Sequence, residues 1–281
     1  MHLRIFHRTR YYYRFPVCES YNELRLRPAT DDKSRLEFFI LNVQPPVRLR
    51  HFRDGALNYV HYFELAEPHH SLTIEASSVI HTTSQYSDGK PLEVPFSQLK
   101  FEERDDLHPY QTSSKYVNLD ADAWRLAMDL KQDGIFETAM AVMEYIFENW
   151  EYVPNITSAS THASEVMALR KGVCQDFTHI MILLCRSLQI PARYVSGYLY
   201  NAPEHEMRGA QASHAWCEVY VPGFGWCGLD PTNNILADER HVKIATGRDY
   251  HDAAPISGRF DGPSGASVGM EIKLLVEKIG D

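Results

Sequence analysis

Along the first hundred positions apolar and polar residues alternate in short runs, and after them apolar residues recur at three- and four-residue steps. LRIFHRTRYYYRF (3–15), ELRLRP (23–28), RLEFFILNV (35–43), ALNYVHYFEL (56–65) and SLTIEASSVIHTT (71–83) read as strands. Turn formers separate them: Pro28, Asp31-Asp32, Pro45-Pro46, Asp54-Gly55, Pro68 and Asp88-Gly89. Strands at this spacing predict a small β-sandwich or barrel over 1–100, with a charged, proline-containing connection over 101–118. From 119 to 281 the pattern predicts an α+β unit, helices first and antiparallel strands after. Its helices are 121–131, 135–152, 163–169 and one from Cys174 through Gln189, stopped by Pro191. Phe136, Met140, Met143, Ile146, Phe147 and Trp150 form one core stripe, and strands are expected at 192–200, 214–221 and 225–230.

Composition narrows the classes. A chain of 281 residues with 44% hydrophobic residues suits two packed domains. No run approaches the ~18 apolar residues of a bilayer span, and MHLRIFHRTRYYYRF lacks the apolar stretch of a leader, so a cytoplasmic protein without a membrane partner is expected. Net charge of −9 argues against a nucleic-acid partner. The basic cluster Arg4, Arg8, Arg10 and Arg14 reads as the solvated side of a strand. Five cysteines, Cys18, Cys174, Cys185, Cys217 and Cys227, are odd in number and contain no CxxC pair. With no HExxH among 14 histidines and no EF-hand loop, neither metal nor cofactor is expected.

One cysteine stands apart. KGVCQDFTHI (171–180) steps through Gly172, read as freeing the turn, into a helix whose Phe177, Met181, Leu184 and Leu188 face inward. Cys174 falls in the first turn, where free N–H groups and the helix dipole favour a thiolate and can hold an oxyanion. SHAWCEVYVPGFGWCGLDPTNN (213–234) reads as a hairpin turning at Pro222-Gly223. His214, Trp216, Glu218 and Tyr220 share one face; Ala215, Cys217, Val219 and Val221 share the apolar one. With the loop centred on Pro222, residue 214 pairs with 230, which sets His214 against Asp230; a two-residue loop would set Asp230 beside Ala215 instead. Thiol, imidazole and carboxylate then have natural roles as nucleophile, base and orienting group. A buried structural cysteine, a satisfied strand histidine and an Asp capping its own DPTN turn are the competing readings.

GVCQDFTHIMILLCRSLQIPARYVSGYLY followed by SHAWCEVYVPGFGWCGLDPTNN resembles the bacterial transglutaminase-like family of the papain-like superfamily. RIFHRTRYYY, the proline after LRLR and PHHSLTIEASSVI resemble that family's N-terminal β domain, and HVKIATGRDYHDAAPISG its closing segment. The resemblance implies a helix bearing Cys174 packed on an antiparallel sheet that carries His214 and Asp230, and a thioester acyl-enzyme formed on a protein or peptide amide. Water as acceptor makes a cysteine protease or amidase, the favoured reading; an amine makes a transglutaminase. A non-catalytic binding module is the third reading. Arylamine acetyltransferases share the logic, but no CoA-binding feature is present, and the peptide N-glycanase branch expects CxxC pairs. Val173 stands where eukaryotic transglutaminases carry Gln, and Ala168 where papain-like proteases do, so the second oxyanion donor stays open, with Trp150 and Trp216 weighed for it. Gln175 and Asp176 are read as capping the helix or contacting substrate, Trp216 and Tyr250 as further candidates for substrate contact, and Arg248-Asp249-Tyr250 as a cleft-lining or plain surface loop.

Overall fold

The computed structural model describes residues 1–87, 89–101, 104–201, 207–209 and 213–280. Asp88 of one expected turn and Glu102-Glu103 of the connection lie outside them.

The strand-rich half is built on one long strand. β1 (His2–Leu24) runs through the strand expected at 3–15 and ends two residues into the one expected at 23–28. β2 (Ser34–Gln44), β3 (Arg50–Arg53), β4 (Tyr59–Leu65) and β5 (His69–Thr82) follow. Residues 2–12 of β1 pair with β5, whose outer neighbour is β2. After an irregular stretch between Tyr12 and Val17, residues 20–24 pair with β4, which carries β3. The bend gives a half-barrel whose core holds Val17, Leu24, Leu26, Phe63, Leu72 and Ile74. Of the basic cluster on β1, Arg4, Arg10 and Arg14 are exposed and Arg8 is half-buried.

The second half places its helices before its sheet. α1 (Ala121–Leu130) starts at Asp120, whose side chain accepts from the Ala123 N–H. α2 (Ile135–Asn149) buries Phe136, Met143 and Ile146 of the expected stripe, while Met140 and Phe147 are half-buried. It ends before the expected residue 152, because β6 (Glu151–Tyr152) pairs in parallel with β7 (Lys171–Gly172) across α3 (Ala163–Leu169). α4 (Cys174–Ser187) packs on α1, α2, α3 and the sheet, and is buried all round over 176–186. Each fully buried Leu, Ile or Phe there contributes about 1.5–3 kcal/mol. α4 stops short of Gln189, which takes a φ of 62°. β8 (Ala192–Leu199), β9 (His214–Val221), β10 (Gly225–Asp230), β11 (Ile235–Leu236) and β12 (His241–Gly247) form an antiparallel sheet in the order β11-β10-β9-β8-β12. α5 (Tyr250–Ala253) closes this half.

The chain then returns. β13 (Ile256–Asp261) and β14 (Ser267–Lys278) pair with β1, not with the second half's sheet. The expected unit 119–281 therefore hands its last two strands to the first half. No strand is expected after 230 from the sequence, and the free side of β1 is where these two pair. Leu3, Ile5 and Ile80 from the half-barrel pack against Tyr198, Val242 and Ile244 on the sheet's outer face, joining the halves. No described helix is long and apolar enough to cross a membrane.

Candidate active site

The five thiols are all free, and burial sorts them. Cys185, Cys217 and Cys227 are buried, and desolvation pushes Cys185 and Cys227 up to about 12 and Cys217 well above its ordinary value. These three are inert core thiols. Cys174 is half-buried, at the first residue of α4. The Cys174 amide makes no hydrogen bond to another described residue, so the first turn keeps a donor for a developing oxyanion.

What fixes this helix start is Asp176. Its Oδ2 accepts the Val173 N–H at 2.8 Å and the Thr157 hydroxyl at 2.5 Å, while Gln175 donates to the Ser158 carbonyl at 2.8 Å. Burial pushes the Asp176 carboxyl up, opposed by those donors. Gln175 and Asp176, read as capping the helix or contacting substrate, hold the helix start to the 157–158 turn. Gly172 serves space, not turn freedom: a Cβ there would lie 2.6 Å from the Asp176 Cβ.

The hairpin register differs from the expected one. Val221 pairs with Gly225 and Cys217 with Leu229, so Asp230 falls opposite Trp216 and two residues short of His214. The cause is the turn: Pro222, Gly223 and Phe224 form the loop, Gly223 takes a φ of 81°, and Phe224 N–H closes on Val221 O at 3.0 Å. A shift of two keeps parity, so both side chains stay on one face and meet on the diagonal. His214 Nε2 lies 2.8 Å from Asp230 Oδ2, both side chains fully buried.

Asp230 also caps its own turn. Oδ1 accepts the Thr232 N–H at 2.9 Å, while Oδ2 takes His214 and the Asn233 amide at 2.8 Å. The capping reading and the orienting reading thus use different oxygens of one carboxylate. Burial would raise this carboxyl, but His214 and His241 hold it well below the usual carboxylate range. Burial likewise would lower His214; the Asp230 charge and hydrogen bond, then Cys174, push it up to about 10. The ring's other nitrogen, Nδ1, has no hydrogen-bond partner among the described residues. Gly209 crosses there: a Cβ on it would lie 2.9 Å from His214 Nδ1 and 3.6 Å from the Tyr152 hydroxyl.

Of the remaining candidates, Trp216 is buried behind the pair, its ring 6.3 Å from His214 and 5.2 Å from His241. Trp150 Nε1 donates to Val166 O at 3.3 Å, which occupies its one donor. Tyr250 is half-buried, its N–H bound to His179 Nε2 at 3.1 Å. Arg248 pairs with Asp252 at 2.7 Å on the surface, while Asp249 is buried and starts α5. Sequence reasoning missed Tyr152, Asn233 and His241. Asn233 sits in the quoted DPTN turn and was readable as a polar neighbour; the other two reach the site only through strand pairing.

A half-buried thiol at a helix start and a carboxylate-bound imidazole on an antiparallel sheet define a papain-like α+β protein. Comparison with known proteins makes the class specific. Residues 124–231 match the transglutaminase-like superfamily core, and residues 3–81 match the bacterial transglutaminase-like N-terminal region. The chain belongs to the bacterial transglutaminase-like family. It is 33% identical over 276 residues to the uncharacterized protein Rv2569c of Mycobacterium tuberculosis, covering 91% of this chain and 86% of that one. It is 31% identical over 113 residues to a protein-glutamine gamma-glutamyltransferase of Pseudomonas aeruginosa, covering 37% of this chain and 17% of that one. A candidate cysteine protease from Cytophaga hutchinsonii shares the fold at a TM-score of 0.79 and 24% identity, over 100% of this chain and 92% of that one. Cysteine-based acyl transfer is the chemistry of the family as a whole.

Proposed function

We propose that the protein transfers acyl groups from protein or peptide amides through a Cys174 thioester, with water as the usual acceptor. The observation that carries this is the buried 2.8 Å bond between His214 Nε2 and Asp230 Oδ2, in a ring whose other nitrogen has no partner among the described residues and whose charge the Cys174 thiol favours. Cys174 sulfur bonds to the amide carbonyl carbon, the Cys174 amide supports the oxyanion, and His214 gives its Nδ1 proton to the departing amine as the C–N bond breaks. Water then attacks the thioester; His214 takes its proton, the C–S bond breaks and the carboxylic acid leaves. Asp230 keeps the imidazole oriented and stabilises its cation throughout. The hydrolytic reading needs no acceptor pocket. Its rival, transfer to a primary amine, is favoured by the likeness to the gamma-glutamyltransferase.

One glutamine-containing acyl-donor peptide, offered with and without a primary amine, separates the two by product mass. Free acid in both arms supports the hydrolase; an amine adduct that replaces it makes the protein a transglutaminase. Trapping with a peptide aldehyde tests for a binding module: wild type should gain the adduct mass and Cys174→Ala should not.

A further inference from the structure

Beyond the three residues of the proposed triad, one buried histidine reaches the same carboxylate oxygen. His241, at the first residue of β12, is 7% exposed, and its Nε2 lies 3.4 Å from Asp230 Oδ2. Its Nδ1 faces Asp238 twice: the Asp238 N–H donates to it at 3.1 Å, and Asp238 Oδ1 lies 3.3 Å away. Asp238 is itself held by Arg240, whose Nε and Nη2 reach its carboxylate at 2.9 and 2.5 Å.

The protons follow from these contacts. An imidazole with its lone pair on Nε2 would set that pair against an ionised Asp230 oxygen. With the Asp238 N–H pointing at Nδ1, the lone pair belongs on Nδ1 and the proton on Nε2. If His241 takes a second proton, Nδ1–H turns to Asp238 Oδ1, and Nε2–H still points at Asp230. Either way His241 donates. The groups around it are Asp230 from β10, Asp238 and Arg240 from the turn before β12, and His214 and Trp216 from β9.

We propose that His241 is a positioning residue of the site: its Nε2–H, with the Asn233 amide, holds Asp230 Oδ2 so that the carboxylate stays ionised and aimed at His214. The proposal rests on the Cys174–His214–Asp230 reading. Its physical content is that one oxygen accepts three donors from three different segments: His214 on β9, Asn233 just after β10, and His241 on β12. Removing the β12 donor leaves the carboxylate free to turn and weakens its hold on the imidazolium. The Trp216 ring stands edge-on to His241, ring centres 5.2 Å apart.

The test uses the full chain and needs no substrate. Cys174 alkylation by iodoacetamide is followed by mass spectrometry across pH in wild type, His214→Ala, His241→Gln and His241→Asn. Glutamine carries its amide to the place of Nε2 and asparagine stops short of it, so the two differ in reach and not in polarity. His241→Asn should alkylate about tenfold more slowly than wild type on the acid limb, the loss expected of one hydrogen bond to a charged group. His241→Gln should recover most of it. Equal rates for wild type and His241→Asn overturn the proposal, as does a rate that changes when EDTA removes metal, since the His214, Asp230 and His241 ligand atoms lie within 4.8 Å of one another. A rate indifferent to His214→Ala overturns the triad reading itself, and the positioning role with it. Imidazole ¹⁵N spectra of the wild type guard against misfolded variants: His241 should show a protonated Nε2 at neutral pH, and a neutral Nδ1–H form overturns the proposal.

Discussion

Two histidines of the second half are fully buried, both stand near a carboxylate, and they titrate in opposite directions. His214 is pushed up to about 10, whereas His179 on α4 is brought down to about 4. Desolvation is the largest influence on each and lowers both. The difference lies in what the carboxylates are doing. Asp230 points Oδ2 at His214 at 2.8 Å. Asp249 spends its oxygens on the Tyr116 N–H at 2.8 Å and the His251 N–H at 2.9 Å, and Arg186 and His162 add opposing positive charge around His179. His179 Nε2 is an acceptor for Tyr250 N–H, so its proton sits on Nδ1, which has no partner among the described residues. A nearby Asp therefore makes an imidazolium only when it is aimed at the ring. The first site is built to move a proton; the second is built to keep one still and hold α5 in place.

The largest predicted effect makes the first site resemble the second. Asp230→Asn should bring His214 below its ordinary 6.5 and slow acyl transfer about a thousandfold or more, measured by NMR titration of the ring and by product formation. An unchanged His214 titration would mean that Asp230 is not what separates the two histidines. Next comes the scaffold of the second site. Arg186, fully buried, donates to the Ala192, Thr112 and Arg248 carbonyls. Arg186→Met should cost about 3 kcal/mol in urea unfolding, because those acceptors lose a charged donor.

The pH dependence of stability tests the contrast in both directions. His7, His61 and His179 are each lowered to about 4, so below their ordinary 6.5 the unfolded chain takes up protons that the folded chain refuses. Asp230, held low in the fold, adds stability that is present above its unfolded value and lost as pH falls through its folded one. Calorimetry should show Tm falling steadily from pH 7 toward pH 4. His214 contributes the reverse: stability complete below 6.5 and lost as pH rises through about 10, so a smaller alkaline decline should vanish in His214→Ala. The smallest effect belongs to Gly209, whose φ is 78° and whose added Cβ would crowd His214 Nδ1. Gly209→Ala should cost about 1 kcal/mol and slow Cys174 alkylation, without changing the urea slope.

Much of this was legible in the chain. Apolar steps of three and four placed α1 to α4 to within a few residues, and alternation placed β8, β9 and β10. Position at a helix start made Cys174 a candidate, an odd-numbered loop put His214 and Asp230 on one face, and the family resemblance singled out the three together. Parity survives a shift of two, which is why the pair forms although the assumed register does not. The unread parts share a cause. The return of β13 and β14 to β1, the closing of the parallel β6–β7 pair and the arrival of His241 from β12 each join residues distant in sequence.

Sequence by itself determined α1 to α4, the strands β8 to β10 and which thiol begins a helix, because those depend on neighbours within a turn or two. Tertiary structure decided which carboxylate is aimed at which imidazole. His214 and His179 are the same residue in similar company, and only the packing of β9, β10 and β12 gives one of them a charged partner at hydrogen-bonding distance.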